Sequence, residues 1–190
     1  MSAIKLENIS KFYHRPILKD FSLSIEAGEK IAIYGSSGSG KTTLLRLICA
    51  LEKAESGKVE VNGKVSVAFQ EPRLFDSFSV LENITCVGAS KEDALLLFER
   101  AGLTECSDMK PGELSGGMRQ RASVVRALAY EADIYLFDEP LKELDAENKK
   151  ALAALICERT KNKTIIAVLH DEADSALLSC NRAVSIERIS

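Results

Sequence analysis

Hydrophobic positions along this chain change period several times, and each change marks an element. Lys30-Ile31-Ala32-Ile33-Tyr34 is a short apolar run, the pattern of a strand buried on both faces. Leu44, Leu45, Leu47, Ile48 and Leu51 then recur at the 3.6-residue spacing of a helix with one buried side. Upstream, residues 4–9 and 21–26 read as short strands, with alternation around Leu23 and Ile25, joined by residues 10–20. Downstream, Val59 and Val61 precede Asn62-Gly63, and Val65, Val67 and Phe69 follow it. Asn-Gly between alternating runs predicts a hairpin, ending on Gln70-Glu71-Pro72.

The character changes over residues 73–112, which read as loop and helix. Ser90 with Asp93 three residues on predicts a helix start, Leu95, Leu97 and Phe98 continue it, and Gly102 closes it. Val124, Val125, Leu128 and Ala129 mark another helix. Asp133-Ile134-Tyr135-Leu136-Phe137-Asp138-Glu139-Pro140 is an apolar run bounded by acids, again a doubly buried strand. Asp145 is a good N-cap for a helix over 146–159 with Leu152, Leu155 and Ile156 inward. A buried strand over 164–169, a short helix over 172–178 and a strand over 182–186 complete the pattern.

Glycine and acid placement gives this pattern its chemistry. Gly35-Ser36-Ser37-Gly38-Ser39-Gly40-Lys41-Thr42 lies between a predicted strand and a predicted helix, the context in which G-x-x-x-x-G-K-[ST] has a mechanism. The three glycines let consecutive N–H groups point into one concavity. The helix adds the positive end of its dipole, Lys41 reaches terminal phosphates, and Thr42 is placed to ligate Mg²⁺. Thr43, next in line, is grouped with the nucleotide contacts. Ser115-Gly116-Gly117, opening the helix that carries Val124, is a second candidate anion site of the same kind, although Ser-Gly-Gly is also a common turn. Strand C-terminal ends are where open α/β sheets bind ligands, which brings Asp138 and Glu139 to the phosphate loop with one carboxylate for Mg²⁺ and one for the attacking water. His170, ending the neighbouring buried strand, is within reach of a γ-phosphate. Tyr13, in the stretch joining the first two strands, offers an aromatic face to a base.

Bulk properties narrow the class. A chain of 190 residues makes one domain, 1–190, with room for a helical subdomain at about 72–125. Its 46% hydrophobic and 28% charged residues are those of a globular protein, and the net charge of −3 argues against nucleic acid as a partner. No apolar run approaches a membrane span, and residues 1–6 lack the apolar core of a signal peptide, so a cytoplasmic location is expected. The five cysteines are odd in number and lack C-x-x-C spacing, indicating neither zinc nor a disulfide framework.

The set 35–42, Gln70, Leu114-Ser115-Gly116-Gly117-Met118-Arg119-Gln120, 134–139, Asp145 and His170 occurs in the order found in the ATP-binding-cassette (ABC) ATPases, which the chain resembles over nearly its whole length. That resemblance implies an α/β fold: a P-loop NTPase core with a mainly parallel sheet, an N-terminal antiparallel β subdomain and a compact helical insertion. It implies ATP and Mg²⁺ as cofactors, with Tyr13 stacking on adenine, Lys41 on the β- and γ-phosphates, and Thr42, Asp138 and Gln70 serving Mg²⁺. Glu139 would polarise the attacking water, His170 would contact the γ-phosphate, and Ser115-Gly116-Gly117 would complete the site of a partner subunit. The expected partners are a second copy in an ATP-dependent homodimer, a membrane permease and, indirectly, an extracytoplasmic solute-binding protein. The expected location is the inner face of the cell membrane.

Within the family, Phe69-Gln70-Glu71-Pro72-Arg73-Leu74-Phe75 with Val80-Leu81-Glu82-Asn83-Ile84 is most similar to the ATPases of nitrate, sulfonate and taurine-type importers. The apolar Phe75, Phe78, Val80 and Leu81 are expected where the permease docks. Three features depart from the family pattern: a short segment between Gly57 and Gln70, Lys142-Glu143 where a small pair is usual, and no extension after the last strand. Other readings are a non-transport ABC-type ATPase acting on nucleic acid or ribosomes, a small-molecule kinase, and a non-hydrolysing subunit. The absence of a coiled-coil insertion, the Ser-Gly-Gly signature, and the presence of Glu139 and His170 speak against these in turn.

Overall fold

The computed structural model describes residues 1–189. In chain order the first half is β1 (Ser2–Phe12), β2 (Pro16–Glu26), β3 (Lys30–Tyr34), α1 (Lys41–Ile48), β4 (Ser56–Val61) and β5 (Val65–Ala68). Helices α2 (Val80–Thr85), α3 (Lys91–Arg100) and α4 (Gly116–Ala129) follow. Then come β6 (Ile134–Asp138), α5 (Ala146–Arg159), β7 (Thr164–Val168), α6 (Glu172–Leu177) and β8 (Arg182–Ser185). Three strands form an antiparallel sheet in the order β2-β1-β4; five form a parallel sheet in the order β5-β6-β7-β3-β8.

The central strands are apolar through their middles because both faces of the parallel sheet are covered. Ile134 and Leu136 of β6, with Ile166 and Val168 of β7, face a core shared with Leu44 and Leu45 of α1 and with Ile4 and Ile25 of the antiparallel sheet. Tyr135, Phe137, Ile165 and Ala167 point the other way, into a second core with Val124 of α4, Leu152 of α5, and Val80 and Phe98 of the helical segment. Alternation of period two thus feeds two cores rather than a core and a solvent face.

The expected hairpin over 57–70 does not form. β4 pairs antiparallel with β1, whereas β5 pairs in parallel with β6, so the chain changes sheets at Asn62-Gly63. The junction is tied to both sides. Asn62 donates from its backbone to the Ala3 carbonyl at 2.8 Å and from its side chain to the Ser2 carbonyl at 3.0 Å. The Lys64 N–H donates to Asp133 Oδ2 at 2.9 Å. Gly63 has φ +133°, and a Cβ there would lie 2.9 Å from that of Asp133.

Other boundaries move by less. β1 and β2 are each 11 residues long and leave only residues 13–15 as their connection, not 10–20. Leu51 lies beyond the end of α1 and is 58% exposed, so it does not belong to the helix's apolar face. Helix α2 was not expected; it starts with a reciprocal capping box between Ser79 and Glu82. Of the expected docking residues, Phe75 and Phe78 are exposed with their rings 5.4 Å apart, but Val80 is fully buried and Leu81 packs against the helical core.

Candidate nucleotide and catalytic site

β3 ends beneath the glycine loop, and its neighbour β7 and the next strand β6 end beside it, so the parallel register delivers the loop, His170 and Glu139 to one edge. The loop's close turns admit no side chain at two points. A Cβ on Gly35 would lie 2.4 Å from the Ile186 carbonyl oxygen, and Gly40, at φ +105°, would meet Ile17 at 2.8 Å. α1 starts immediately after Gly40 with no side-chain cap, leaving its first N–H groups directed at the loop's concavity. Lys41 is buried, and its ammonium donates to the Gly35 and Ser36 carbonyls at 2.7 and 3.0 Å.

The metal side of the site consists of hard oxygen donors. The Thr42 hydroxyl donates to Asp138 Oδ2 at 2.6 Å. Burial pushes the Asp138 carboxyl above the ordinary aspartate value and the Thr42 hydrogen bond opposes that rise, with the Glu139 charge adding to it. Gln70, exposed at the end of β5, lines a cleft with Thr42 and Asp138. Among the described residues no group of three or more His, Cys, Asp or Glu side chains could hold a metal by itself. One carboxylate and one hydroxyl suit Mg²⁺, which takes most of its ligands from phosphate and water.

Glu139 is the most constrained residue of the site. It has φ +53°, a left-handed conformation uncommon outside glycine, and a side chain only 8% exposed. Its N–H donates to the Val168 carbonyl at 3.0 Å, and its own carbonyl accepts from Gln120 Nε2 of α4 at 3.3 Å. Glu139 Oε1 and His170 Nε2 are within hydrogen-bond distance at 2.5 Å. Oε2 lies 2.9 Å from the Lys142 ammonium, an ion pair without the alignment of a hydrogen bond. That pairing, through its side-chain contact with Glu139, holds the Lys142 ammonium above the ordinary lysine range.

A cleft of about 430 Å³ runs over the loop, lined by Ser37, Gly38, Gly40, Lys41, Thr42, Thr43, Gln70, Glu139 and His170, with Arg15, Ile17 and Lys142. Ser36 lies at the exposed rim of the loop, and Ser39 is buried under it. Tyr13 is not among the lining residues. Its hydroxyl bonds to Glu52, its ring lies under the Lys11 ammonium at 5.3 Å, and it stays half exposed. Arg15 and Ile17 stand nearer the loop, and Arg15 Nη2 donates to the Gly38 carbonyl at 3.3 Å.

Gly116 and Gly117 line a different cleft, which meets the first only at Gln70, Glu139 and Lys142. Ser115 caps α4 by accepting from the Met118 N–H at 3.3 Å. Asp145 lines neither cleft; it accepts from the Glu147 and Asn148 N–H groups and caps α5, and these bonds hold its carboxyl below the ordinary aspartate value. Lys142, Gln120 and Arg15 were absent from the expected site. Lys142 was visible in the sequence only as a departure from a small pair.

Residues 18–142, from within β2 through the phosphate loop to just past the acidic strand end, match the family described as ABC transporter. The chain belongs to that family. It is 39% identical over 196 residues to the aliphatic sulfonates import ATP-binding protein of Paraburkholderia xenovorans, covering 97% of this chain and 57% of that relative. It thus spans little more than half of that relative's length. It is 32% identical over 225 residues to the phosphonates import ATP-binding protein of Pseudomonas syringae, covering 97% of this chain and 81% of that one. The dimeric structure of a bacterial ABC transporter cassette superposes with a TM-score of 0.88 at 29% identity, over 97% of this chain and 94% of the other. A dimeric post-hydrolysis cassette bound to ADP and Pi gives 0.89 at 28% identity, over 98% and 97%. The fold is therefore that of an ABC ATPase, a P-loop NTPase with an added antiparallel sheet. No helix among the described residues is long and apolar enough to cross a membrane.

Proposed function

We propose that this ABC ATPase binds Mg-ATP on the 35–42 loop and hydrolyses it in a homodimer, powering import by a separate membrane permease from the cytoplasmic face. The observation that carries the reading is the convergence of Thr42, Asp138, Glu139 and His170 at the edge where the phosphate loop lies. Lys41 exchanges its two carbonyl partners for phosphate oxygens, and Thr42 with Asp138 holds the cation, with Gln70 beside them. Mg²⁺, when bound, neutralises charge on the transferring phosphoryl group. Glu139 accepts a proton from water as the water oxygen bonds to the γ-phosphorus. The bond to the β,γ-bridging oxygen breaks, and ADP leaves with its electron pair. His170 orients the Glu139 carboxylate and the γ-phosphate.

Because Gly116 and Gly117 open on their own cleft, Ser115-Gly116-Gly117 serves the nucleotide of the second copy. The segment around 72–125 acts as the subdomain that presents Phe75 and Phe78 to the permease. An extracytoplasmic binding protein supplies the solute. Glu139→Gln tests the assignment: the variant keeps Mg-ATP affinity and loses turnover by roughly 10²- to 10⁴-fold. Normal turnover in that variant would move the proton-accepting role elsewhere.

A further inference from the structure

Lys142 stands where nothing in the proposed chemistry requires a cation. Both oxygens of Glu139 are taken within the chain, Oε1 by His170 and Oε2 by the Lys142 ammonium at 2.9 Å. A carboxylate that accepts a proton from water must turn a lone pair toward that water, and an ammonium beside it draws off the same negative potential. The contact is built to open. Lys142 is 39% exposed, Glu139 only 8%, and the ion pair lacks hydrogen-bond alignment, so the lysine can swing away while the Glu139 backbone stays placed by its bonds to Val168 and Gln120 and its Oε1 by His170.

Lys142 also sits where the two clefts meet. Its N–H donates to the Glu139 carbonyl at 3.2 Å, closing a turn whose next residue, Glu143, has φ +60°. That turn lies against the signature end of α4, where a Cβ on Gly117 would lie 3.4 Å from Leu144 and 4.0 Å from the Glu143 carbonyl oxygen. Lys142 and Glu143 themselves line the Gly116 cleft, so an occupant of that cleft meets the segment that carries Lys142.

From this geometry we infer that Lys142 is a positioning residue that restrains hydrolysis: its ion pair occupies the Glu139 oxygen that the attacking water needs and must open in each turnover. The inference rests on Glu139 being the proton acceptor. Its test is steady-state ATPase of the full chain, at protein concentrations saturating for activity, for Lys142→Ser, Lys142→Met and Lys142→Arg, with Glu139→Gln alongside. Removing the charge, as Ser or as Met of similar length, raises kcat roughly two- to fivefold, the order of factor that releasing one partly exposed ion pair can supply, and leaves KM for ATP unchanged. Lys142→Arg keeps the charge and the wild-type rate, an outcome that a purely structural role for the side chain would not produce. Unchanged or lower kcat in both Ser and Met variants, with Glu139→Gln inactive and thermal unfolding unaltered, overturns the restraint while leaving the proposed function standing. Full turnover in Glu139→Gln removes the restraint together with the assignment of Glu139 as proton acceptor.

Discussion

At the residue scale the site divides into groups legible from residue type and groups legible only from contact. The 35–42 loop, Asp138 and His170 announce themselves, because few other tasks call for that glycine spacing between strand and helix or for acids at the end of a buried strand. The left-handed backbone of Glu139 and its two partners do not, since a 31-residue separation hides the His170 contact until β6 and β7 pair. Tyr13 is the opposite case. An aromatic in the right loop invites a stacking role, yet the cleft is lined by Arg15 and Ile17, while the Tyr13 phenol is desolvated and bonded to Glu52, both of which raise its pKa. The two interpretations separate by substitution. If the ring stacks on adenine, Tyr13→Ala weakens ATP affinity by about 1–3 kcal/mol and Tyr13→Phe does not, because stacking needs only the ring. Equal affinity in Tyr13→Ala and wild type, measured by titration calorimetry, would leave Tyr13 a structural residue and Arg15 the side chain to test next.

At the scale of elements, most assignments follow from periodicity, and the misreading of residues 57–70 shows where periodicity stops. Asn62-Gly63 between alternating valines is a correct turn signal, but a turn does not say which strand each flank will pair with. The partners were decided far away in sequence, by Ala3 and Asp133. The Ser79 and Glu82 capping box was present in the sequence, but α2 is only six residues long and carries too little periodicity to stand out. The junction gives a test of its own. Gly63→Val forces a branched side chain against Asp133 at a positive φ and destabilises by about 1–3 kcal/mol, read as a lower denaturant midpoint. Asp133 adds a pH dependence. The Lys64 N–H, foremost, and the nearby Lys163 hold its carboxyl below the ordinary aspartate value, so the ionised form is favoured by folding. Its stabilisation is present above the unfolded pKa of about 3.9 and fades as pH falls through the lower folded value. The stability difference between wild type and Asp133→Asn therefore shrinks between pH 7 and pH 3. A constant difference across that range would show that the carboxylate charge contributes nothing at this junction.

At the scale of the whole molecule, the proposed homodimer divides a single active site between two copies of the chain, one cleft from each. Lys41, Thr42 and Glu139, the groups proposed to bind phosphate and accept the proton, line the loop cleft, whereas Gly116 and Gly117 line the other. Mixing two variants tests that division. Lys41→Ala removes the mobile cation from its own loop, and Ser115→Arg obstructs the helix N-terminus that meets the partner's nucleotide. Each alone cripples both sites of its homodimer. In a heterodimer of the two, the Lys41→Ala loop faces the Ser115→Arg signature, so both lesions fall in one site, while the other site combines an intact loop with an intact signature. ATP-dependent dimerisation then recovers partially in the mixture, by chromatography or light scattering, and hydrolysis recovers with it if one site suffices. If Ser115 served the nucleotide of its own chain, every site in the mixture would carry one lesion and nothing would recover. With both variants folded and exchanging subunits, failure to recover even dimerisation would assign the nucleotide to one chain alone, and Lys142 with the Gly116 cleft would then have no partner to sense.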